Sequence, residues 1–217
     1  MYNFSEAQLD VLQNATPLPL EGGWGGPPTS GAFSNGFKPK LLGLTGKARS
    51  GKDTVGSILK RHFPASTISL ASPIRDSLKA MIGLQDQDFQ GKPKETPIPW
   101  LGKSPRQMMQ TLGTEWGRGM VNENMWLLLA QQKIDKAHNL CRHAVITDVR
   151  FENEATFIRE QGGTIWHIDR DTRAYNVSPH ASEAGVVLRG DLGDVLICNY
   201  GNLNYLEDQV LELFQGE

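Results

Sequence analysis

The chain has 217 residues, of which 39% are hydrophobic, and its formal net charge is −2. This length suits one domain of ordinary size that buries a real core. The near-neutral charge argues against a general basic surface for a nucleic acid polymer, which needs many phosphate-neutralising Lys and Arg side chains. No apolar run approaches the length of a membrane span, and the N-terminus lacks the pattern of a signal peptide. We therefore expect a cytoplasmic protein whose partners are neither nucleic acid polymers nor membranes.

Residues 1 to about 38 differ in composition from the rest of the chain. The stretch from Pro17 to Gly36, PLPLEGGWGGPPTSGAFSNG, is dense in Gly, Pro and Ser and does not favour a regular element. We expect residues 1–38 to be a mobile arm and residues 39–217 to form the folded domain.

The segment Leu41–Leu59, LLGLTGKARSGKDTVGSIL, contains a phosphate-binding pattern. An apolar run predicts a strand, a Gly-rich turn follows it, and a helix begins near Lys52. Gly46, Gly51 and Lys52 satisfy G-x-x-x-x-G-K, the spacing of a P-loop. In such a loop backbone N–H groups converge on a phosphate, and the helix N-terminus and the lysine add positive charge. The pattern therefore predicts a binding site for a nucleoside triphosphate.

The residue after the P-loop lysine is usually Ser or Thr, whose hydroxyl binds Mg²⁺. Here it is Asp53, followed by Thr54. A carboxylate also holds a hard cation, directly or through a water, so both residues are candidate Mg²⁺ ligands and the sequence does not rank them. The competing interpretation of Asp53 is a first-turn carboxylate that favours the helix N-terminus.

From Pro39 onward, strand and helix patterns alternate. The predicted strands are 41–45, 66–70, 144–148, 164–168 and 194–198, and the predicted helices begin or lie near 52–62, 72, 104, 123–138, 152–160 and 205–214. The polar, Pro-rich segment 83–102 predicts a loop or lid. The alternation predicts an α/β fold of the P-loop NTPase type, with a mostly parallel sheet and helices on both faces. Ligands of such sheets bind beyond the carboxyl ends of the strands, where the P-loop, Asp148 and Asp169 fall.

Several polar residues near these strand ends suit phosphoryl transfer, which needs in-line positioning, Mg²⁺ and cations around the migrating group. Asp148 resembles a Walker-B carboxylate that would hold the metal or its water shell, although strands also end in Asp for capping. Arg150 would contact an anionic substrate or pair with Asp148. A guanidinium fork matches phosphate oxygens, whereas a lone arginine is more often a surface charge. The further candidate arginines are Arg49, Arg75, Arg106, Arg118, Arg170 and Arg173.

Cysteine and tryptophan residues are expected to be structural. Cys141 and Cys198 lie in apolar sequence and predict buried thiols in a reducing compartment, not a disulfide framework. Trp116, Trp126 and Trp166 predict core packing, although Trp116 lies among polar residues. No Cys/His spacing indicates a structural metal site.

Three segments in succession resemble bacteriophage-type deoxynucleoside monophosphate kinases, which are P-loop enzymes of the nucleoside monophosphate kinase group. The segments are GKARSGKDT, SPRQMMQTLGTEWGR and VITDVRFENEA. The resemblance spans roughly Leu41 to the C-terminus and leaves the arm outside. The S-G-K-D-T form of the P-loop is narrower than the general pattern and accounts for Asp53, because members of this group carry Asp-Thr at that place.

This resemblance implies ATP- and Mg²⁺-dependent transfer of a γ-phosphate to a deoxynucleoside monophosphate, and a homodimer. It implies that the ATP phosphates and the metal are bound by Gly46, Arg49, Ser50, Gly51, Lys52, Asp53 and Thr54. It assigns the acceptor site to Arg75, Arg106, Gln110 and Arg118, and the reacting phosphates to Asp148 and Arg150, with Lys52. The resemblance also implies that residues of about 83–121 form an acceptor-binding insertion. Residues of about 169–190 would form a lid-like segment that supplies Arg170 and Arg173.

Two other functions stay open at this point. A related small-molecule kinase, resembling dephospho-coenzyme A kinase or phosphomevalonate kinase, would share the fold and a similar loop. This alternative stays open because acceptor identity depends on side chains that the sequence does not position. A non-enzymatic P-loop module would bind nucleotide and regulate a partner, although Lys52 and the strand-end arginines weigh against it.

Overall fold

The structure, a computed structural model, describes residues 37–170 and 185–216, and these contain a five-stranded sheet. Apolar, β-branched runs form the central strands, which are buried along most of their length. The strands are β1 (Leu41–Thr45), β2 (Ala65–Ile68), β3 (His143–Ile146), β4 (Thr164–Asp169) and β5 (Val195–Cys198). The predicted arm, residues 1–38, lies almost entirely outside the described residues and stays a prediction.

The strands lie in the order β2-β3-β1-β4-β5, and every pairing is parallel. β1 is central, because Leu42 is in register with Val145 of β3 on one side and with Thr164 of β4 on the other. The predicted α/β fold with a parallel sheet is confirmed. Since all five strands run the same way, the loops that follow them meet at one edge of the sheet.

Helices cover both faces of this sheet. They are α1 (Lys52–His62), α2 (Ser72–Ile82), α3 (Gly91–Glu95), α4 (Pro105–Gln110), α5 (Met125–Asn139), α6 (Glu152–Glu160) and α7 (Leu203–Gly216). Strand residues alternate between faces. Leu41, Ala144, Ile146 and Ile165 pack with α2, α5 and α6, whereas Leu42, Leu44, Val145 and Trp166 pack with α1 and α7.

The segment after α2 is more regular than predicted. Residues 83–102 contain a 3₁₀ turn, Asp86–Phe89, and the short helix α3 in place of a structureless loop. The helix predicted near residue 104 begins as expected, with the Ser104 hydroxyl accepting from the backbone N–H of Gln107 at 3.3 Å. It then widens after α4 into a π-helix, Thr111–Val121, which the sequence pattern did not reveal.

Two strand ends also differ from the prediction. β2 stops at Ile68, because the next backbone groups turn away from the ladder: the N–H groups of Leu70 and Ala71 donate to the carboxylate of Asp148 at 2.8 and 3.1 Å. β3 ends at Ile146, so Asp148 lies in the turn after the strand and not at its last position. Asp148 thus joins the ends of two neighbouring strands.

Two expectations about apolar residues are wrong. Cys141 is exposed because it lies in the turn between α5 and β3, and Cys198, the last residue of β5, is only partly buried. Trp126 and Trp166 are buried as expected, but Trp116 is 42% exposed on the π-helix. Within the described residues, no helix is both long and apolar enough to span a membrane.

Candidate active site

The P-loop follows the central strand and is closed by its own lysine. Gly46 and Gly51 have φ angles of +138° and +108°, and Arg49 also has a positive φ of +64°. The Lys52 ammonium donates to the carbonyl oxygens of Gly46 at 2.6 Å and Lys47 at 2.7 Å. These left-handed positions curl the backbone into a ring, which is the conformation in which successive N–H groups face one point.

Neighbouring strands hold this loop in place. The side-chain amide of Asn199, directly after β5, donates to the Ser50 carbonyl at 2.8 Å in a buried position. A Cβ added to Gly46 would lie 2.3 Å from the Ile168 carbonyl oxygen, and one on Gly51 would lie 2.5 Å from the Asn199 amide nitrogen. Both glycines are therefore needed for space as well as for backbone conformation.

The carboxylate of Asp148 is held in a fixed orientation. Besides the N–H groups of Leu70 and Ala71, it accepts from the Ser69 hydroxyl at 2.7 Å. The Arg75 guanidinium in turn donates to the same Ser69 hydroxyl at 3.1 Å. A carboxylate has about four lone-pair sites, so three donors leave about one site for a ligand.

Two cavities open beside these residues. The P-loop cleft lies between the P-loop and the segment that runs from the 3₁₀ turn to α4; its lining includes Arg49, Lys52, Asp53, Arg75, Arg106, Asp148 and Arg150. The apolar cavity lies beneath α4 and the π-helix; its lining includes Leu70, Ile74, Met109, Gln110, Thr114, Arg118, Trp126, Phe151 and Glu154.

Charged residues line the walls of the apolar cavity. Arg106, also in the P-loop cleft, pairs with Glu95 of α3 at 3.2 Å. The guanidinium of Arg118 donates to Glu154 at 3.3 Å and to Asn153 at 2.7 Å, and it lies 3.9 Å from the centre of the Phe151 ring. Arg118 therefore packs along the wall of the cavity with part of its hydrogen-bonding capacity already used.

Glu154 is a buried carboxylate at this wall, with 4% of its surface exposed. Burial raises the pKa of Glu154 to about 7, against the lowering effects of the Arg150 and Phe151 backbone N–H groups and the Arg118 charge.

Arg150 joins the cavities. It lines both the P-loop cleft and the apolar cavity, and also a third cavity beside Gly46, Lys52, His167 and Asp169, which we call the strand-end cavity. Burial lowers the pKa of His167, against the raising effect of its contact with Asp194 at 3.2 Å. Arg150 thus lies where the P-loop cleft and the apolar cavity adjoin.

Most predicted site residues meet at this edge of the sheet. Gly46, Arg49, Ser50, Gly51, Lys52, Asp53, Thr54, Arg75, Arg106, Gln110, Arg118, Asp148 and Arg150 belong to the P-loop, the start of α1 or the two main cavities. Arg170 is exposed directly after β4 and is not in the lining of these cavities. Arg173 and most of the predicted lid-like segment lie outside the described residues.

Sequence reasoning missed Asn199, Glu154 and Ser69. Each has a weak signal: Asn199 directly follows the last strand, Glu154 is the fourth residue after Arg150 in the turn that begins α6, and Ser69 directly follows β2. Polar residues in such positions are common helix caps and turn residues, so sequence alone does not distinguish them from site residues.

Comparison with known proteins identifies relatives along most of the chain. A family model described as deoxynucleotide monophosphate kinase matches residues 40–97 and 100–210. A relative in Acanthamoeba polyphaga mimivirus, named as a deoxynucleotide monophosphate kinase, is 33% identical over 79% of this chain and 94% of its own length. The deoxynucleoside-5'-monophosphate kinase of Escherichia phage T5 is 39% identical over 48% of this chain and 43% of its own length. The deoxynucleotide monophosphate kinase of Escherichia phage RB69 is 28% identical over 81% of this chain and all (100%) of its own length.

Proposed function

The chain belongs to the deoxynucleotide monophosphate kinase family, and on that premise we propose that it transfers the γ-phosphate of ATP to a deoxynucleoside monophosphate at the C-terminal edge of its sheet. The products are ADP and a deoxynucleoside diphosphate. The observation that carries this proposal is the position of Arg150, which borders both the P-loop cleft and the apolar cavity. Phosphoryl transfer requires two phosphorylated molecules to meet in line, and a cation between two adjoining sites suits that meeting.

The donor side is the P-loop. Its fit to a phosphate is supported by the Ser50 hydroxyl oxygen, which is buried and has no hydrogen-bond partner among the described residues. Lys52 and Arg49 would supply positive charge to the triphosphate, and the N-terminus of α1 would add the positive end of its dipole. Lys52 would stabilise the charge that develops on the transferred group.

Magnesium would be held at the start of α1. Asp53 lines the P-loop cleft, and Thr54 follows it in the first turn, so both offer the oxygen ligands that Mg²⁺ prefers. The described residues contain no cluster of three or more His, Cys, Asp or Glu side chains suited to a metal. Mg²⁺ in kinase sites needs no such cluster, because waters and phosphate oxygens fill most of its coordination. When bound, it would neutralise negative charge on the triphosphate.

The acceptor side is the apolar cavity together with the adjoining part of the P-loop cleft. Apolar walls from Ile74 and Phe151 would face the base, and Gln110 would offer an amide to its polar edge. Arg75, Arg106 and Arg118 would contribute positive charge for the acceptor phosphate. The remaining lone pair of Asp148 would orient the metal's water shell or a phosphate-bound water, and Arg150 would contact the reacting phosphates.

Other parts of the proposal concern segments and partners that the described residues do not test. Arg170 and Arg173 would come from the lid-like segment to the donor phosphates and exclude water from the site. A homodimer, and the absence of nucleic acid polymers and membranes as partners, remain proposals from the family resemblance and the composition. Family membership favours the kinase over the non-enzymatic module and over the related acceptor classes.

A panel of acceptors tests the function. ADP release from ATP and Mg²⁺ would be coupled to a spectrophotometric readout, with the four common deoxynucleoside monophosphates, their ribose counterparts and dephospho-coenzyme A as acceptors. We expect at least one deoxynucleoside monophosphate to raise ADP release well above the rate with ATP alone. Stimulation by dephospho-coenzyme A alone would refute the proposed acceptor class, and ATP binding without any stimulated turnover would favour the regulatory module.

A further inference from the structure

Glu154 links the two elements that border the apolar cavity. One of its carboxylate oxygens accepts from the backbone N–H of Arg150 at 2.7 Å and of Phe151 at 3.1 Å. The other oxygen accepts from the Arg118 guanidinium at 3.3 Å. The first contact fixes the turn between β3 and α6, and the second fixes a side chain that comes from the π-helix.

An ordinary helix cap explains only part of this arrangement. A Glu at the third helical position commonly accepts from the N-cap backbone N–H, and the bond to Phe151 is of that kind. Glu154 is 4% exposed and also accepts from the mostly buried guanidinium of Arg118, a contact that capping does not require. A buried charged pair contributes little net stability, so geometry is the better reason for its presence.

The bond from the Arg150 main chain connects Glu154 to the proposed reaction site. Arg150 borders all three cavities and lies two residues after Asp148. Arg118 is pressed against the Phe151 ring and also bonded to Asn153, so its head group is held on three sides. A shift of Glu154 would therefore move Arg118 and the Arg150 turn relative to each other.

We propose that Glu154 is a positioning residue for the acceptor site, whose carboxylate sets the distance between the Arg118 side chain on the π-helix and the Arg150 turn after β3. This inference rests on the proposed function, because it treats the apolar cavity as the acceptor site. Glu154 itself does not contact substrate in this proposal; it acts through Arg118 and Arg150.

The substitution Glu154→Gln separates positioning from capping. A Gln side chain keeps the length of Glu, and its carbonyl oxygen still accepts from the Arg150 and Phe151 N–H groups. Its amide NH₂ group then faces the Arg118 guanidinium, where two donors meet and no bond forms. Glu160→Gln is the matched control, because it makes the same chemical substitution at an exposed position at the other end of the same helix.

Steady-state kinetics on the full chain, with the best deoxynucleoside monophosphate from the acceptor panel, give the test. For Glu154→Gln we expect the acceptor KM to rise by about tenfold or more, equivalent to about 1.4 kcal/mol, while the ATP KM changes less than about twofold. Acceptor binding measured by calorimetry without ATP should weaken by a similar factor. Glu160→Gln should match the wild type in all three values.

A double-mutant cycle tests whether Glu154 acts through Arg118. In an Arg118→Met background, Glu154→Gln should cause little further loss, because the contact is already absent. Independent, multiplying losses would overturn the proposal. So would an unchanged acceptor KM, or equal rises in the KM values for acceptor and ATP.

Two further arms keep the outcomes separate. If Glu154→Gln does not fold, Glu154→Asp replaces it: this variant keeps the charge but is one methylene shorter, and the same selective loss of acceptor binding is expected. A wild-type acceptor KM in Glu154→Asp would then overturn the proposal. Absence of deoxynucleoside monophosphate turnover in the wild type would instead refute the proposed function.

Discussion

Lys52 contributes a charged side chain to the loop of the proposed donor site. Its ammonium lies within 2.7 Å of two carbonyl oxygens of the P-loop, so it both closes the loop and brings a positive charge to the site.

We expect Lys52→Ala to reduce kcat by on the order of 10² or more, because the substitution removes charge directed at the transferred phosphate. Initial rates of ADP formation at saturating ATP and acceptor measure this effect. Lys60→Ala is the control, since Lys60 is an exposed lysine on the same helix α1. Near-normal turnover in Lys52→Ala, with a normal melting temperature, would contradict the assignment of the donor site.

Asn199 is the second residue whose contribution can be isolated. Asn199→Asp keeps the shape of the side chain but replaces an N–H donor with a carboxylate oxygen opposite the Ser50 carbonyl. The lost bond and the added negative charge should raise the ATP KM by about tenfold, or about 1.4 kcal/mol, and leave the acceptor KM unchanged. ATP titrations at fixed acceptor concentration measure the change.

Asn202→Asp serves as the comparison for that variant. Asn202 lies three residues further on, is exposed, and accepts from the backbone N–H of Tyr205 at 2.9 Å, a role that Asp also fills. An equal loss of ATP affinity in both variants would show that added charge alone, and not the contact with Ser50, causes the effect.

The π-helix contributes Gly113, Thr114 and Arg118 to the lining of the apolar cavity. Its i→i+5 hydrogen bonding is seen where the N–H of Asn122 donates to the Gly117 carbonyl at 2.9 Å. Two glycines let it approach its neighbours: Gly113 lies against Ile74 of α2, and Gly117 lies against Trp126 of α5.

Gly117→Ala should therefore destabilise the protein by about 1–3 kcal/mol, because the new Cβ would lie 2.4 Å from the Trp126 ring. Gly119→Ala, two residues along the same π-helix, meets nothing closer than the Thr114 carbonyl oxygen at 3.5 Å and should leave stability equal or slightly higher. Urea unfolding followed by circular dichroism compares the two variants. Equal midpoints would show that the close packing on Trp126 has no energetic consequence.

The helices and strands differ in how well the sequence predicts them, because some depend on local patterns and others on distant contacts. The strand pattern and the P-loop spacing predicted β1, α1 and their order, because short-range periodicity and glycine spacing are local properties. Ser104 and Pro105 predicted the start of α4 for the same reason. The π-helix was missed, since its apolar positions also suit an α-helix. The contact between Glu154 and Arg118 was missed because the two residues are 36 positions apart in sequence.

At the scale of the whole molecule, the two ends of the sheet have different roles. The carboxyl ends of the strands hold the cavities, whereas the opposite end is closed by packing around His143. There the His143 ring contacts the rings of Phe37 and Phe214, and its Nδ1 accepts from the backbone N–H of Lys40 at 2.9 Å.

His143 should make stability depend on pH. Burial, with the positive charge of Lys40 and His138, lowers the pKa of His143 below its ordinary value of 6.5. The unfolded chain therefore binds more protons than the folded one just below pH 6.5, so the contribution is present above that pH and is lost as the pH falls.

Melting temperatures between pH 5 and 8 test this dependence. His143→Phe keeps an aromatic ring between Phe37 and Phe214 but cannot titrate, so its melting temperature should fall less steeply on acidification than that of the wild type. The other titrating groups, including Glu154 and His167, are present in both proteins and cancel in the comparison. Parallel curves would show that His143 does not contribute to acid sensitivity.

The contacts that hold the P-loop in place have a consequence for the entropy of nucleotide binding. Because Asn199 and the Ile168 carbonyl confine the loop before any nucleotide arrives, binding needs little ordering of the main chain. The unfavourable entropy of ATP binding, measured by calorimetry, should accordingly be small in the wild type. It should be larger in Asn199→Asp, in which the bond to the Ser50 carbonyl is lost.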